Sequence, residues 1–183
     1  MEDLLNKESV KRVLKVLNDF DQSIKVQNLD TTARTAKDAA ESLKTEIGSI
    51  VKSLLLRRQS SFLLCLVAGD KRCSLNKIKK LLNEKDVSMA NADQVKEITG
   101  FTIGGVSPVG HLNKVDIFID DSLARFTNLL RPQAILIVFS KLILIIFVKL
   151  QKDQSKIYLN EKSKTPRLFT TRNLIFDLGI CIF

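Results

Sequence analysis

The chain has 183 residues, 45% of them apolar and none tryptophan, enough for one cored domain plus an extension and too apolar for a disordered chain. Its formal charge of +9 is lopsided: residues 1–130 carry 20 Lys/Arg against 17 Asp/Glu, and residues 131–183 carry 9 against 3. The basic excess is therefore weak evidence for nucleic-acid binding by the first part.

Apolar residues at helical spacing predict a helix over residues 8–20, with Val10, Val13, Leu14, Leu17 and Phe20 on one face. The alternation of Ile24, Val26 and Leu29 predicts a strand over 23–29. Residues 36–43 form a second helix, with Thr35 or Thr32 as N-cap. Two near-continuous apolar runs, 49–57 and 61–68, flank Arg58-Gln59-Ser60 and predict a hairpin of buried strands. Ser74 caps a helix reaching Asn83, with Leu75, Ile78, Leu81 and Leu82 inward. A short strand over 87–90, a short helix over 92–98 and a strand over 115–119 follow. Asp120-Asp121 bounds that strand, and residues 122–130 read as turn and helix. The irregular mixture predicts an α/β (mixed α+β) class: a single domain with a mixed central sheet or partly closed barrel surrounded by helices.

Cys65, Cys73 and Cys181 have no metal-ligand spacing, and Cys65 reads as a buried thiol. Such usage suits a reducing compartment, and the charged N-terminus has no apolar signal core, so the expected location is cytoplasmic.

Four of the seven glycines fall between Gly100 and His111. Gly104-Gly105 permits backbone conformations closed to other residues and close approach of a ligand, and Pro108 stiffens the following turn. Consecutive amides in such a loop can hold a carbonyl oxygen or a phosphate, though a plain tight connection explains the glycines as well. The stretch is neither a Walker A loop nor a dinucleotide fingerprint. Lys52, amid apolar strand residues, is either a cation paired in a site or a lysine snorkelling from a strand edge. His111, the one histidine, reads as structural before it reads as a general base. Ser107 has no His–acid pair in evidence to activate it. Asp120 and Asp121 read as a strand end rather than an acid–base pair. Lys71, Arg72, Lys77, Lys79 and Lys80 form a basic cluster, either a solvated helix face or a phosphate-contacting surface. No aromatic residues interleave it for base stacking.

Gly104-Gly105-Val106-Ser107-Pro108-Val109-Gly110-His111 resembles the signature loop of the YbaK/prolyl-tRNA-synthetase-associated editing domain family. Three further stretches resemble the family in order: Thr35–Leu43 its first helix, Ile50–Leu56 its lysine-bearing strand, and Ala68–Arg72 with Leu75 its strand-to-helix corner. Asp120–Leu123 resembles the acidic segment after the loop, and the similarity covers about residues 8–130. The resemblance implies a YbaK-like fold and a deacylase that hydrolyses the ester of mischarged tRNA, commonly tRNA for proline carrying Ala or Cys. It implies no cofactor and no metal. The implied partners are the acceptor end of aminoacyl-tRNA and prolyl-tRNA synthetase, with no DNA and no membrane. Under it, Lys52 holds the terminal phosphate or the ester carbonyl. Gly104 and Gly105 stabilise the oxyanion, Pro108 shapes the pocket, and His111 positions the site while a tRNA hydroxyl helps the attacking water. Thr35, Val106, Ser107, Gly110, Asp120, Lys71 and Arg72 are the implied substrate-binding residues. Lys52 and the loop are expected to meet across one pocket.

After residue 130 the family pattern stops. The family continues with a strand and closing helix near Ala-Gly-His/Ser-Pro-Asn-Ala-Val-Phe-Lys; this chain reads Arg131-Pro-Gln-Ala-Ile-Leu-Ile-Val-Phe-Ser-Lys141. Joining the third base of each codon to the first two of the next can restore Ala-x-Gly-His-Pro-Asn-x-Val-Phe-Lys, which suggests a shifted frame near Leu130. Residues 1–130 then form an editing-type domain lacking its last strand and helix, and 131–183 an atypical apolar and basic tail. Alternatives are an inactive remnant that at most binds tRNA or a synthetase, and a membrane-associated protein anchored through 134–150, a run short for a span and interrupted by Lys141. Ile135–Phe139 is apolar enough to replace the missing strand. Ile135–Val138 and Leu142–Val148 are aggregation hazards.

Overall fold

The computed structural model describes residues 6–20, 22, 35–126 and 157–159. The expected strand over 23–29 and the runs 127–156 and 160–183 lie outside them.

The hairpin β1 (Val51–Arg58) and β2 (Ser61–Ala68) forms the centre of the sheet. Arg58 pairs with Ser61, so Gln59-Ser60 is a two-residue turn, with Gln59 at φ 45°. β1 starts two residues later than the apolar run suggested, because Ile47–Ser49 forms a 3-10 turn. β3 (Val87–Met89) pairs antiparallel with β1, and β4 (Asp116–Ile119) parallel with β2. β5 (Ile157–Leu159) adds a parallel strand to β4, so the sheet runs β3-β1-β2-β4-β5. The mixed α/β expectation holds, and of its two forms the described residues make the open mixed sheet. The place beside β4 is taken by Ile157–Leu159, whereas Ile135–Phe139 lies outside the described residues.

Both faces of the hairpin are covered, which is why its strands are apolar without alternation. One face bears Leu55, Leu64, Leu66, Ile117 and Ile119, against Val13 and Val16 of α1 (Glu8–Phe20) and Val95 of α4 (Ala92–Thr99). The other bears Leu56, Leu63, Cys65, Val67 and Phe118 against Ile78, Leu75 and Leu82 of α3 (Leu75–Leu82). Leu63 and Leu64, adjacent in sequence, are each fully buried on opposite faces.

The helix ends follow local chemistry. Ser74 caps α3 by accepting from the Lys77 amide, and Asn83 ends it in the left-handed region at φ 54°. Asn91 and Gln94 form a reciprocal capping box at α4. Thr35 and Asp38 do the same for α2 (Ala36–Ser42).

Candidate functional site

The glycine loop lies on the α1/α4 face. Val109 is buried in that cluster and Val106 packs against it. Arg12 of α1 clamps the loop: its Nε donates to the Gly110 carbonyl at 2.9 Å, and its Nη2 to the Thr99 and Gly100 carbonyls at 3.5 and 3.4 Å. The same guanidinium sits 5.4 Å over the Phe101 ring, and Phe101 meets His111 edge to face. His111 Nε2 lies 2.7 Å from the Ser107 carbonyl, an arrangement that requires the proton on that nitrogen. Ser107 Oγ accepts from the Val109 amide at 3.3 Å. His111 and Ser107 thus brace the loop. Gly110, at φ 77°, runs so close to α1 that a Cβ would sit 3.1 Å from the Val13 nitrogen.

The tip is the opposite case. Gly104 has φ 86°, with nothing within 4 Å of where its Cβ would be. Residues 102–105 are exposed, and neighbouring Ile103 is 65% exposed. The Gly105 amide donates to the Thr102 carbonyl at 3.0 Å, so that donor is spent inside the loop rather than offered to a ligand. A bound acyl group could approach the bare backbone at Gly104 without meeting a side chain.

The α3 face collects side-chain chemistry. A cleft of about 50 Å³ is lined by residues including Cys65, Arg72, Cys73, Lys77, Phe118 and Asp120, room for a few waters or a small group. Asp120 Oδ1 accepts from the Ser122 amide at 3.0 Å, capping the turn after β4. Lys52 pairs with Val67 in the hairpin register, which puts its side chain on this face with Val67 and Cys65. Its ammonium donates to the Lys71 carbonyl. Lys71 Nζ reaches Asp70 at 3.8 Å, and Arg125 closes on the same carboxylate at 2.8 Å. That pair holds Asp70 below the ordinary carboxylate range.

The structure therefore gathers Gly104, Gly105, Val106, Ser107, Pro108, Gly110 and His111 into one loop, lines the α3-face cleft with Arg72 and Asp120, and ties Lys52 to the Lys71 carbonyl. In the hairpin register Lys52 shares a face with Leu54 and Leu56 of the α3-side cluster, while Val51 and Leu55 share the face on which Val106 and Val109 of the loop pack. Thr35 spends its hydroxyl on the Asp38 amide as a helix cap. Sequence reasoning missed Arg12, a polar residue of an amphipathic helix whose target lies 98 residues away. It also missed the apposition of Cys65 and Cys73, which the Gly69-Asp70 turn between them could have signalled.

An open mixed sheet, an exposed glycine tip clamped at its base and a small cleft lined by Arg72 and Lys77 mark an α/β domain. The aminoacyl-tRNA editing domain family matches residues 30–132, more than half of the chain, and the chain belongs to that family. This assigns it to the aminoacyl-tRNA deacylases, a class of hydrolase. The match begins after α1, which had been expected inside the similar region. A solved structure described as a candidate trans-editing enzyme for prolyl tRNA synthetase is 37% identical, with TM-score 0.61, over 65% of this chain and 76% of its own. A proline–tRNA ligase of Kosmotoga olearia is 36% identical over 95 residues, 52% of this chain and 16% of the ligase. The ligase of Thermosipho africanus is likewise 36% identical over 95 residues, 52% of this chain and 17% of its own length. The chain thus spans about a sixth of the length of these two ligases. Among the described residues, no helix is long and apolar enough to cross a membrane, and residues 134–150 lie outside them.

Proposed function

We propose that this chain edits in trans, in the cytoplasm, removing Ala or Cys from tRNA for proline and so correcting errors of prolyl-tRNA synthetase. The likeness to proline–tRNA ligases and to the trans-editing structure supports that choice. A synthetic pocket cannot strongly exclude a smaller amino acid, because one methylene is worth only about 1–3 kcal/mol. A second small site that hydrolyses the wrong ester supplies the missing discrimination.

In the reaction, water attacks the ester carbonyl and an oxyanion forms. The bond to the tRNA 3′ oxygen then breaks, and that oxygen takes a proton as the amino acid leaves. The observation that carries the site assignment is the exposed, side-chain-free backbone at Gly104, held from beneath by Arg12 and His111. It fits a tip that lies against the acyl group, with Pro108 stiffening the turn and Val106 and Gly110 setting its approach. Lys52, on the other face with Arg72 and Lys77, fits a contact to tRNA phosphate rather than to the ester carbonyl. Asp120 shapes the cleft beside them.

The test is deacylation of Ala- and Cys-charged tRNA for proline by the full chain. Lys52→Ala is expected to raise KM about tenfold or more with a smaller change in kcat, as for a lost ground-state phosphate contact. Unchanged hydrolysis removes Lys52 from the site. Retained tRNA binding with no hydrolysis by the unaltered chain identifies an inactive remnant. That reading draws on the departure of residues 131–183 from the family, whose match ends at residue 132. We take that segment as a product of a shifted reading frame; codons unable to encode Ala-x-Gly-His-Pro-Asn-x-Val-Phe-Lys in the neighbouring frame reject it.

A further inference from the structure

The cleft on the α3 face holds two sulfurs that ester hydrolysis does not use. Cys65, in β2, is 4% exposed; Cys73, just before the α3 cap, is partly exposed and lines the cleft. Their Sγ atoms stand 3.6 Å apart, and both thiols are free. Ala68 ends the strand and Gly69-Asp70 reverses the chain, which carries Cys73 back over Cys65. A disulfide needs about 2.05 Å between sulfurs, so a closure of about 1.5 Å suffices. Side-chain rotation and a small shift of the turn can supply it.

The two thiols have different surroundings. The sulfur contact with Cys65 lowers the pKa of Cys73, and the charge of Lys52 adds to that, against burial and the Asp120 carboxylate. The same contact, then burial, pushes Cys65 up. Cys73 is therefore the accessible sulfur that ionises first, and Cys65 the buried one that keeps its proton. This is the division of labour between an attacking and a resolving thiol.

We propose that Cys65 and Cys73 are a modification site: a dithiol converted to a disulfide by a hydroperoxide. The Cys73 thiolate attacks the terminal peroxide oxygen, the O–O bond breaks, and the alcohol or water leaves with a proton. Cys73 is then a sulfenic acid. Cys65 gives up its proton and attacks the Cys73 sulfur; the S–O bond breaks, and the departing hydroxide joins that proton as water. Two electrons pass from the thiols to the peroxide, and one alcohol (or water) and one further water are formed. The bond ties the turn over 69–74 to β2, and with it the Lys71 carbonyl that holds Lys52 and the Asp70 carboxylate that holds Arg125. The inference stands on the sulfur geometry and is independent of the editing substrate.

Hydrogen peroxide treatment of the full native chain, denaturing alkylation and tryptic peptide mapping test it. Cleavage at Lys71 and Arg72 separates the two cysteines, so a disulfide shows as a cross-link between the 59–71 and 73–77 peptides that dithiothreitol releases. Near-complete cross-linking is expected, with Cys181 left alkylated. In Cys65→Ser the reaction should halt at a Cys73 sulfenic acid, captured by dimedone. The proposal is overturned if Cys65 remains alkylated while Cys73 is unreacted, is oxidised to sulfinic acid or is joined to Cys181.

Discussion

The two faces of the hairpin carry different chemistry on the same eight-residue strands. On the α1/α4 face the candidate functional element is main chain: a glycine tip whose position is set from below by Arg12, Phe101 and His111. On the α3 face it is side chain: cations, a carboxylate and two thiols around a small cleft. Main-chain chemistry needs glycine and a rigid base, and side-chain chemistry needs a cleft and partial desolvation.

The contrast breaks first, and most strongly, at the shared core. Leu63→Ala and Leu64→Ala, one on each face, are each expected to cost about 2–5 kcal/mol of unfolding free energy in urea titrations. A cost below about 1 kcal/mol for Leu63 alone would show that the α3 face is a loose cover rather than core.

Arg12→Ala comes next. It removes hydrogen bonds to the Thr99, Gly100 and Gly110 carbonyls and a ring contact, and is expected to cost about 1.5–3 kcal/mol. Deacylation should fall with it, while tRNA affinity, assigned to the other face, stays close to the unaltered value. Arg12→Lys should not restore the rate, because an ammonium lacks the planar fork that reaches several carbonyls. Equal losses in rate and affinity would dissolve the division between the faces.

Within the loop, Gly110→Ala and Gly104→Ala sharpen the distinction between base and tip. Both pay about 1–2 kcal/mol for a left-handed backbone. Gly110→Ala must also push against the α1 backbone and should melt several degrees lower. Gly104→Ala meets open space, so its loss should appear in turnover more than in melting temperature.

The smallest effect is electrostatic. Arg125 depresses the Asp70 pKa below its ordinary 3.8, so the pair's contribution is present above that value and is lost as pH falls through the folded-state pKa. The stability gap between the unaltered chain and Arg125→Gln should therefore be flat at neutral pH and close below about pH 4 in acid titrations. A gap that persists at lower pH rules out this origin.

Much of this was legible from the sequence because local chemistry is local. The Ser74 cap, the Asn83 stop, the Leu75/Ile78/Leu82 stripe and the two apolar strands each declare themselves within about ten residues. Long-range relations did not. Nothing near Arg12 announces carbonyls 87 to 98 residues away. The face occupied by Lys52 was available from strand alternation. The 3-10 turn at Ile47–Ser49 also shortened a strand whose hydrophobicity alone argued for more length.

β5 has a consequence of its own. It joins β4 through parallel main-chain pairing of Ile157–Leu159 with Ile117–Ile119, and such pairing recognises extension, not identity. The β4 margin thus accepts a strand through its main chain alone. A chain cut after residue 130 would lack Ile157–Leu159 and leave the Ile117–Ile119 margin without that partner.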